Sequence, residues 1–290
     1  MIVVKLIGGL GNQLFQYAIA KKLAIQFNTE VVLDTMPFEK YKLHKYSLEH
    51  FNFNKHIATI SDLSLLGLEQ GNIIQKNYYR ILRKIIKPVI ISEKQFNFDN
   101  DIFLKAKKHT YLDGYWQTEK YFSDIRSILL ADLIIKKPLE NKNLEIANQI
   151  NAVNSVSLHI RRADYVSNTD TLNIHGVCGL DYYFKAIEHI SKEVEKPVLF
   201  IFSDDMQWVK ENLQTSLDTV YVDHNNADTN YEDLRLMSFC KNNIIANSSF
   251  SWWGAWLNNH DDKIVIAPKK WFSTNERNYS DVIPSKWMQL

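Results

Sequence analysis

Between residues 155 and 246 the chain alternates short apolar runs with helical stretches, and this alternation constrains the fold more than any other feature. Strands are expected at 155–160, 198–203, 219–222 and 243–246, with helices at 182–194, 206–212 and 231–240 between them. Regular alternation requires crossover connections, which set the strands parallel and lay helices on both faces of one doubly wound sheet. The N-terminus starts the same way. A β-branched run over 2–7 stops at Gly8-Gly9-Leu10-Gly11, and apolar residues follow at helical spacing: Leu14, Tyr17, Ala18, Leu23, Ala24 and Phe27. Val31–Asp34 supplies the next strand, and a βαβ unit of this kind presents the carboxyl ends of its strands to ligands. From 38 to 100 the pattern is less regular, with helices expected at 61–69 and 76–87. A strand entering a loop at 110–117 and helices at 123–133 and 144–150 follow. At roughly 150 residues per domain, the 290 residues predict two domains sharing one cleft, 1–150 and 151–290.

Composition removes several classes of function. Lys and Arg number 34 against 33 Asp and Glu, so the chain carries no global electrostatic footprint of a nucleic-acid binder. The two cysteines, Cys178 and Cys240, build neither a disulfide framework nor a zinc site and read as small buried thiols. The N-terminal apolar run is interrupted by Lys5 and lacks a cleavage site, and no run approaches the roughly 20 residues that cross a bilayer. The expected setting is a reducing cytoplasm.

Four segments carry candidate chemistry. Gly9-Leu10-Gly11-Asn12-Gln13, with Asp34 ending the next strand, matches half of a dinucleotide fingerprint, but Leu14 stands where the third glycine belongs. A plain tight turn explains the glycines as well, yet it leaves the adjacent amides of Asn12 and Gln13 unexplained. His159-Ile160-Arg161-Arg162-Ala163-Asp164-Tyr165 falls where a strand runs out, and Arg presents a planar fork suited to phosphate or carboxylate. A surface ion pair, Arg161 with Asp164, is the bland reading of the same residues. Ser203-Asp204-Asp205 ends another strand in acids that would cap the next helix or accept hydrogen bonds from a base or sugar; a metal would need more oxygen ligands. Asn247-Ser248-Ser249-Phe250-Ser251 then opens a tryptophan-rich helix, with hydroxyls and free N–H groups suited to an anion.

Taken together and in this order, the four segments resemble glycosyltransferase family 11, the α-1,2-fucosyltransferases, in its bacterial, unanchored form. The resemblance spans nearly the whole chain. It implies a GT-B fold, with two facing Rossmann-like domains built on parallel sheets. It further implies that the acceptor side lies in the first domain and GDP-fucose mostly in the second, with neither metal nor other cofactor required. It places Arg161 on the donor pyrophosphate with Arg162 in support, His159 and Asp204 on the guanine, and Ser248 and Ser249 near the phosphates. Asn12 matches a glycine-loop amide near the reacting centre, and with Gln13 it completes the donor-binding set. Catalysis is assigned to Arg161 and Asp164. The base stays open: a glutamate found downstream of the Arg pair in some related fucosyltransferases has no counterpart at 165–169, and Asp164, Asp34 and His44 are candidates by type alone.

The implied reaction is inverting transfer of L-fucose from GDP-β-L-fucose to the 2-hydroxyl of a terminal β-galactoside. Breaking the sugar–phosphate bond builds negative charge on the leaving group, so preorganised donors carry most of the catalysis. Two other readings stand beside it. One is an NAD-dependent oxidoreductase built on Gly9, Gly11 and Asp34. The other is a lectin-like module suggested by the 12% aromatic content, which leaves the Arg pair without a purpose. The run 76–87 carries five basic residues and no acid among Ile, Leu and Tyr, which predicts peripheral contact with an anionic membrane surface. Cys178, in a loop-like stretch before Asp181-Tyr182-Tyr183, is expected close to the acceptor without a chemical role.

Overall fold

The computed structural model describes residues 1–40, 43–68, 73–162, 176–273 and 278–290, the side chains of 73 and 74 excepted. The chain forms two compact units, Met1–Lys136 with Ser280–Val282, and Lys137–Tyr279 with Ile283–Leu290.

The first unit is a parallel five-stranded sheet: β1 (Ile2–Lys5), β2 (Val31–Asp34), β3 (His56–Ile57), β4 (Val89–Ser92) and β5 (Thr110–Asp113), in the order β3-β2-β1-β5-β4. The helix Leu10–Gln26 follows β1 and is buried on nearly every side through its first four turns, with Leu14, Phe15, Ala18, Ile19 and Leu23 at zero exposure. Gly8 makes the entry at φ +76°, and a Cβ there would meet the Asn12 amide at 2.5 Å, so only glycine fits this turn. Helix Ile60–Leu66 starts on a capping box between Thr59 and Asp62 and ends on Gly67 at φ +89°. It packs against helix Ile73–Ile86.

The second unit is a parallel six-stranded sheet of β6 (Asn154–Ile160), β7 (Pro197–Ser203), β8 (Thr219–Val222), β9 (Asn242–Ile244), β10 (Val265–Ala267) and β11 (Met288–Gln289), in the order β11-β10-β9-β6-β7-β8. Side chains alternate across each strand. Val156, Leu158, Ile160, Leu199 and Ile201 pack with Tyr183, Ala186, Ile187 and Ile190 of helix Leu180–Glu193. Phe200 and Phe202 pack with Leu236 and Met237 of helix Asn230–Phe239 and with Ile146, Ala147 and Ile150 of helix Asn141–Ala152. Gly254 is a point of close helix–helix approach, where a Cβ would stand 2.9 Å from Met237.

Both sheets are α/β and parallel, as expected of Rossmann-like units. The boundary expected at residue 150 falls inside helix Asn141–Ala152, whose apolar face belongs to the second core, and the chain divides earlier, between Lys136 and Lys137. The division is also not a single cut: Ser280–Val282 returns to the first unit, where Asp281 accepts hydrogen bonds from the Phe98 N–H at 2.9 Å and from Lys120. Among the described residues no helix is long and apolar enough to cross a membrane.

Candidate active site

In the second sheet the strand order reverses between β6 and β9, and ligands of open α/β sheets bind at the carboxyl ends of strands at such a point. Ile160 of β6 lies in register with Ser203 of β7, so the next residues, Arg161 and Asp204, leave their strands side by side. Arg161 Nη1 sits 3.0 Å from Asp204 Oδ2, with side chains 25% and 21% exposed. The other carboxylate oxygen of Asp204 accepts the Arg162 backbone N–H at 2.8 Å. Arg161 therefore finds its counter-ion on the neighbouring strand.

Arg162 is held differently. Its guanidinium carbon lies 3.6 Å over the Trp208 ring, and its Nε is 3.5 Å from Asp205. Asp205 itself caps helix Met206–Asn212 by accepting the Trp208 N–H at 3.2 Å, as its position before the helix suggested. Trp208 is a residue that sequence reasoning passed over. Its signal is positional: it is the third residue of a helix whose cap follows the Arg-facing acid, so its ring returns toward the strand end.

His159 is 4% exposed and points away from Leu158 and Ile160, with its ring 5.6 Å from Phe250. Burial, aided by the Arg161 charge, pushes its imidazole down to about 3, so it is neutral at ordinary pH. Its Nδ1 is buried without a hydrogen-bond partner among the described residues. Phe250 also brings the start of helix Ser249–Leu257 beside the end of β6. There the hydroxyls divide their work: Ser248 Oγ accepts the Phe250 N–H at 3.3 Å as the cap, and Ser251 Oγ donates to the Ser248 carbonyl at 3.4 Å. Ser249 is half-buried and opens the helix, so its hydroxyl stands at the positive end of the helix dipole. Asn247 accepts from the Cys178 thiol at 3.4 Å and donates to the Gly176 and Trp271 carbonyls at 3.3 Å. Burial pushes that thiol up to about 11, which leaves it unreactive. A cavity of about 280 Å³ opens here between Asn247, Tyr182, Lys269 and Phe272. A larger hollow of about 570 Å³ follows edge strand β4 in the first unit, and none of the residues just described lines it.

The first unit places Asn12 and Gln13 at its own reversal point, between β1 and β5. Gln13 is fully buried: its amide donates to the Gly8 and Lys45 carbonyls at 2.9 and 2.8 Å and accepts the Ser47 N–H at 2.9 Å. These bonds commit both ends of the amide within the loop, so the expected donor-binding amide is a loop staple. Asn12 Oδ1 accepts from Gln117 at 2.8 Å. Asp34, 5% exposed, accepts the Tyr111 hydroxyl at 2.7 Å and the Met36 N–H at 3.1 Å, which leaves it neither a ribose contact nor a base. His44 lies over Gly9, where a Cβ would stand 3.4 Å from its ring. Asp164 lies outside the described residues, so the expected Arg161–Asp164 pair does too. Among the described residues no three His, Cys, Asp or Glu side chains gather as metal ligands would. Trp252, Trp253 and Trp256 are core: all three are buried, Trp252 stacks on Trp256, and Trp253 meets both edge to face, with centroids 5.0–6.2 Å apart.

Comparison with known proteins meets this geometry from outside. Residues 1–290 match the family described as glycosyl transferase family 11. The chain is 36% identical to an alpha-1,2-colitosyltransferase of Escherichia coli, over 100% of this chain and 99% of that protein. It is also 36% identical to the O-antigen biosynthesis glycosyltransferase WbnK of Escherichia coli, over 98% of each. Human galactoside alpha-(1,2)-fucosyltransferase 1 is 25% identical over 54% of this chain and 44% of its own length. Among solved structures, a mutant of Arabidopsis thaliana FUT1 in complex with GDP shares the fold, with a TM-score of 0.51 and 10% identity over 91% of this chain and 69% of that chain. Nothing supports an oxidoreductase, and the Asp34 geometry removes its ribose contact. A profile matched from the first residue to the last, and relatives matched over their full length, carry one conclusion: the chain belongs to glycosyl transferase family 11 and is a glycosyltransferase.

Proposed function

We propose that the protein transfers L-fucose from GDP-β-L-fucose to the 2-hydroxyl of a terminal β-galactoside with inversion, forming an α-1,2 linkage. The observation that carries this reading is the guanidinium of Arg161, ion-paired to Asp204 at the carboxyl end of the central strand of the second sheet and still one-quarter exposed. Negative charge grows on the pyrophosphate as the sugar–phosphate bond breaks, and a planar guanidinium already oriented by a neighbouring carboxylate stabilises it without reorganising. Ser249 and the start of its helix add donors from the adjoining strand connection. In this reading the second unit holds the nucleotide and the first the acceptor. Asp204 orients Arg161, and the buried neutral His159 supplies an uncharged edge beside the guanidinium. The acceptor hydroxyl loses its proton late, so a weak base suffices, with His44 and Asp164 as the two remaining candidates. No metal is required, since Arg161 supplies the positive charge.

A second donor is favoured by one specific observation, the full-length similarity to an alpha-1,2-colitosyltransferase. Colitose is L-fucose without its 3-hydroxyl, so the two donors differ at one oxygen. A site that hydrogen-bonds that hydroxyl would reject the deoxy sugar by about 10⁴-fold or more, whereas an apolar contact there would discriminate far less. The test offers GDP-fucose and GDP-colitose separately with a panel of β-galactosides in the presence of EDTA, and reads the linkage by NMR. Transfer from GDP-fucose to O2 with α configuration is expected. Transfer from GDP-colitose alone would reassign the donor, and transfer from neither would end the reading.

A further inference from the structure

Helix Ile73–Ile86 carries a face of exposed side chains among the described residues. Helix Ile60–Leu66 covers one side of it: Tyr79, Leu82 and Ile86 are half-buried, and Arg83 turns inward, donating from Nη1 to the Ser64 carbonyl at 2.7 Å. Tyr78, Ile81 and Ile85 point outward at 59%, 61% and 72% exposure. At about 100° per residue these three fall within an arc of about 60°, a continuous apolar stripe along two turns. Lys76, Arg80 and Lys84 are exposed as well, as is Lys87 just beyond the helix, and no acid occurs between residues 73 and 87.

We propose that this outward face docks on an anionic lipid surface. A single exposed Ile is ordinary, but three large apolar side chains in line, flanked on one side by Asn77 and then Lys84 and Arg80, with no acid on the helix, match the chemistry of an interfacial helix. The stripe enters the headgroup boundary, the Lys84 and Arg80 stems on its flank bring their charges to the phosphates, and Tyr78 sits at the depth that suits an amphipathic ring. Charge selects the occupant. A second copy of the chain would oppose two cationic faces, whereas anionic headgroups attract each exposed Lys or Arg. The proposal rests on the first unit alone and does not depend on which sugar is transferred.

Co-sedimentation of the full chain with vesicles tests it, using phosphatidylcholine alone or mixed with phosphatidylglycerol. Binding is expected to the mixed vesicles only and to weaken with added salt. The triple variant Lys76→Glu, Arg80→Glu, Lys84→Glu is expected to lower partitioning by at least on the order of 10²-fold. The triple variant Tyr78→Ser, Ile81→Ser, Ile85→Ser is expected to lower it by at least about tenfold. Arg83 is left intact in both because it anchors the helix, and unchanged transfer to a soluble acceptor shows that each variant is folded. Equal binding to neutral vesicles, or equal binding by the charge-reversed variant, would overturn the proposal. So would a concentration-dependent dimer that the serine variant abolishes without any vesicle binding by the wild type.

Discussion

The turns that follow β1 and β6 occupy the same topological place in their sheets, yet they are built from different chemistry. After β1 the polar side chains are neutral amides, and each is bonded within its own unit: Gln13 to three backbone groups, Asn12 to Gln117, and Gln16 to the Ile7 N–H and the Gly114 carbonyl. After β6 they are a guanidinium paired with a carboxylate at partial exposure, beside a buried neutral imidazole with one nitrogen unpartnered among the described residues. Amides tolerate full burial once every donor and acceptor is satisfied, and they then make the loop rigid. Charges keep some exposure, and there they remain able to answer a ligand. The first turn is therefore expected to respond to mutation in stability, and the second in rate.

The strongest way to break this contrast is Arg161→Lys, which keeps the charge and loses the fork. The proposed role predicts a fall in kcat on the order of 10²–10³, about 3–4 kcal/mol, with a smaller loss of donor affinity. The melting temperature should barely move, because an ion pair exposed to this degree contributes about 1 kcal/mol at most. A destabilised enzyme with normal kcat per folded molecule would make Arg161 structural.

Next in size is Gln13→Ala. It strands the buried Gly8 carbonyl and Ser47 N–H and leaves a void, so a loss of about 2–3 kcal/mol is expected in denaturant unfolding. Rate per folded molecule should survive, and a stable but inactive variant would put Gln13 back in the chemistry.

His159 tests the contrast through pH. Its folded pKa of about 3 lies below the usual histidine value of 6.5, so above pH 6.5 neither state takes the proton. Below that the unfolded chain protonates while the folded one does not, and stability falls until pH approaches 3. From pH 6.5 to 5 the loss from this one group is about 2 kcal/mol, and His159→Asn should flatten that part of the profile. An unaltered slope would mean that the imidazole is protonated in the folded protein.

The smallest effect is expected from Asp204→Asn. The amide oxygen still accepts the Arg162 N–H, but Arg161 loses its counter-charge. A fall in kcat/KM of about tenfold without a change in melting temperature is expected, close to what one charge-assisted hydrogen bond contributes. Stability loss alone would return Asp204 to a purely structural role.

Much of this was readable along the chain. The alternation over 155–246 matched the second sheet almost element by element, because a strand or helix several residues long announces itself through its own period. β3, β10 and β11 escaped notice because two or three residues carry no period, and β4 did so although Pro88 and its Val-Ile-Ile run marked it. Asp205 as a cap and Gly8 as a turn were likewise local matters.

Partnership across strands was not local. That Arg161 meets Asp204 follows from the register of β6 on β7, and the stacking of Arg162 on Trp208 follows from where the next helix returns. The same holds for Asp34, which looked like a ligand-binding acid until Tyr111, on β5, closed over it. It holds also for Gln13, whose amide looked free until Lys45 and Ser47 folded back onto it. A sequence specifies which groups a residue offers and the period of its neighbours, and here that was enough for fold class, family and the strand ends where the polar residues gather. Which of those groups are still available after folding depends on residues brought together from distant parts of the chain, since a hydrogen bond needs its partner within about 3 Å and sequence spacing does not encode that distance.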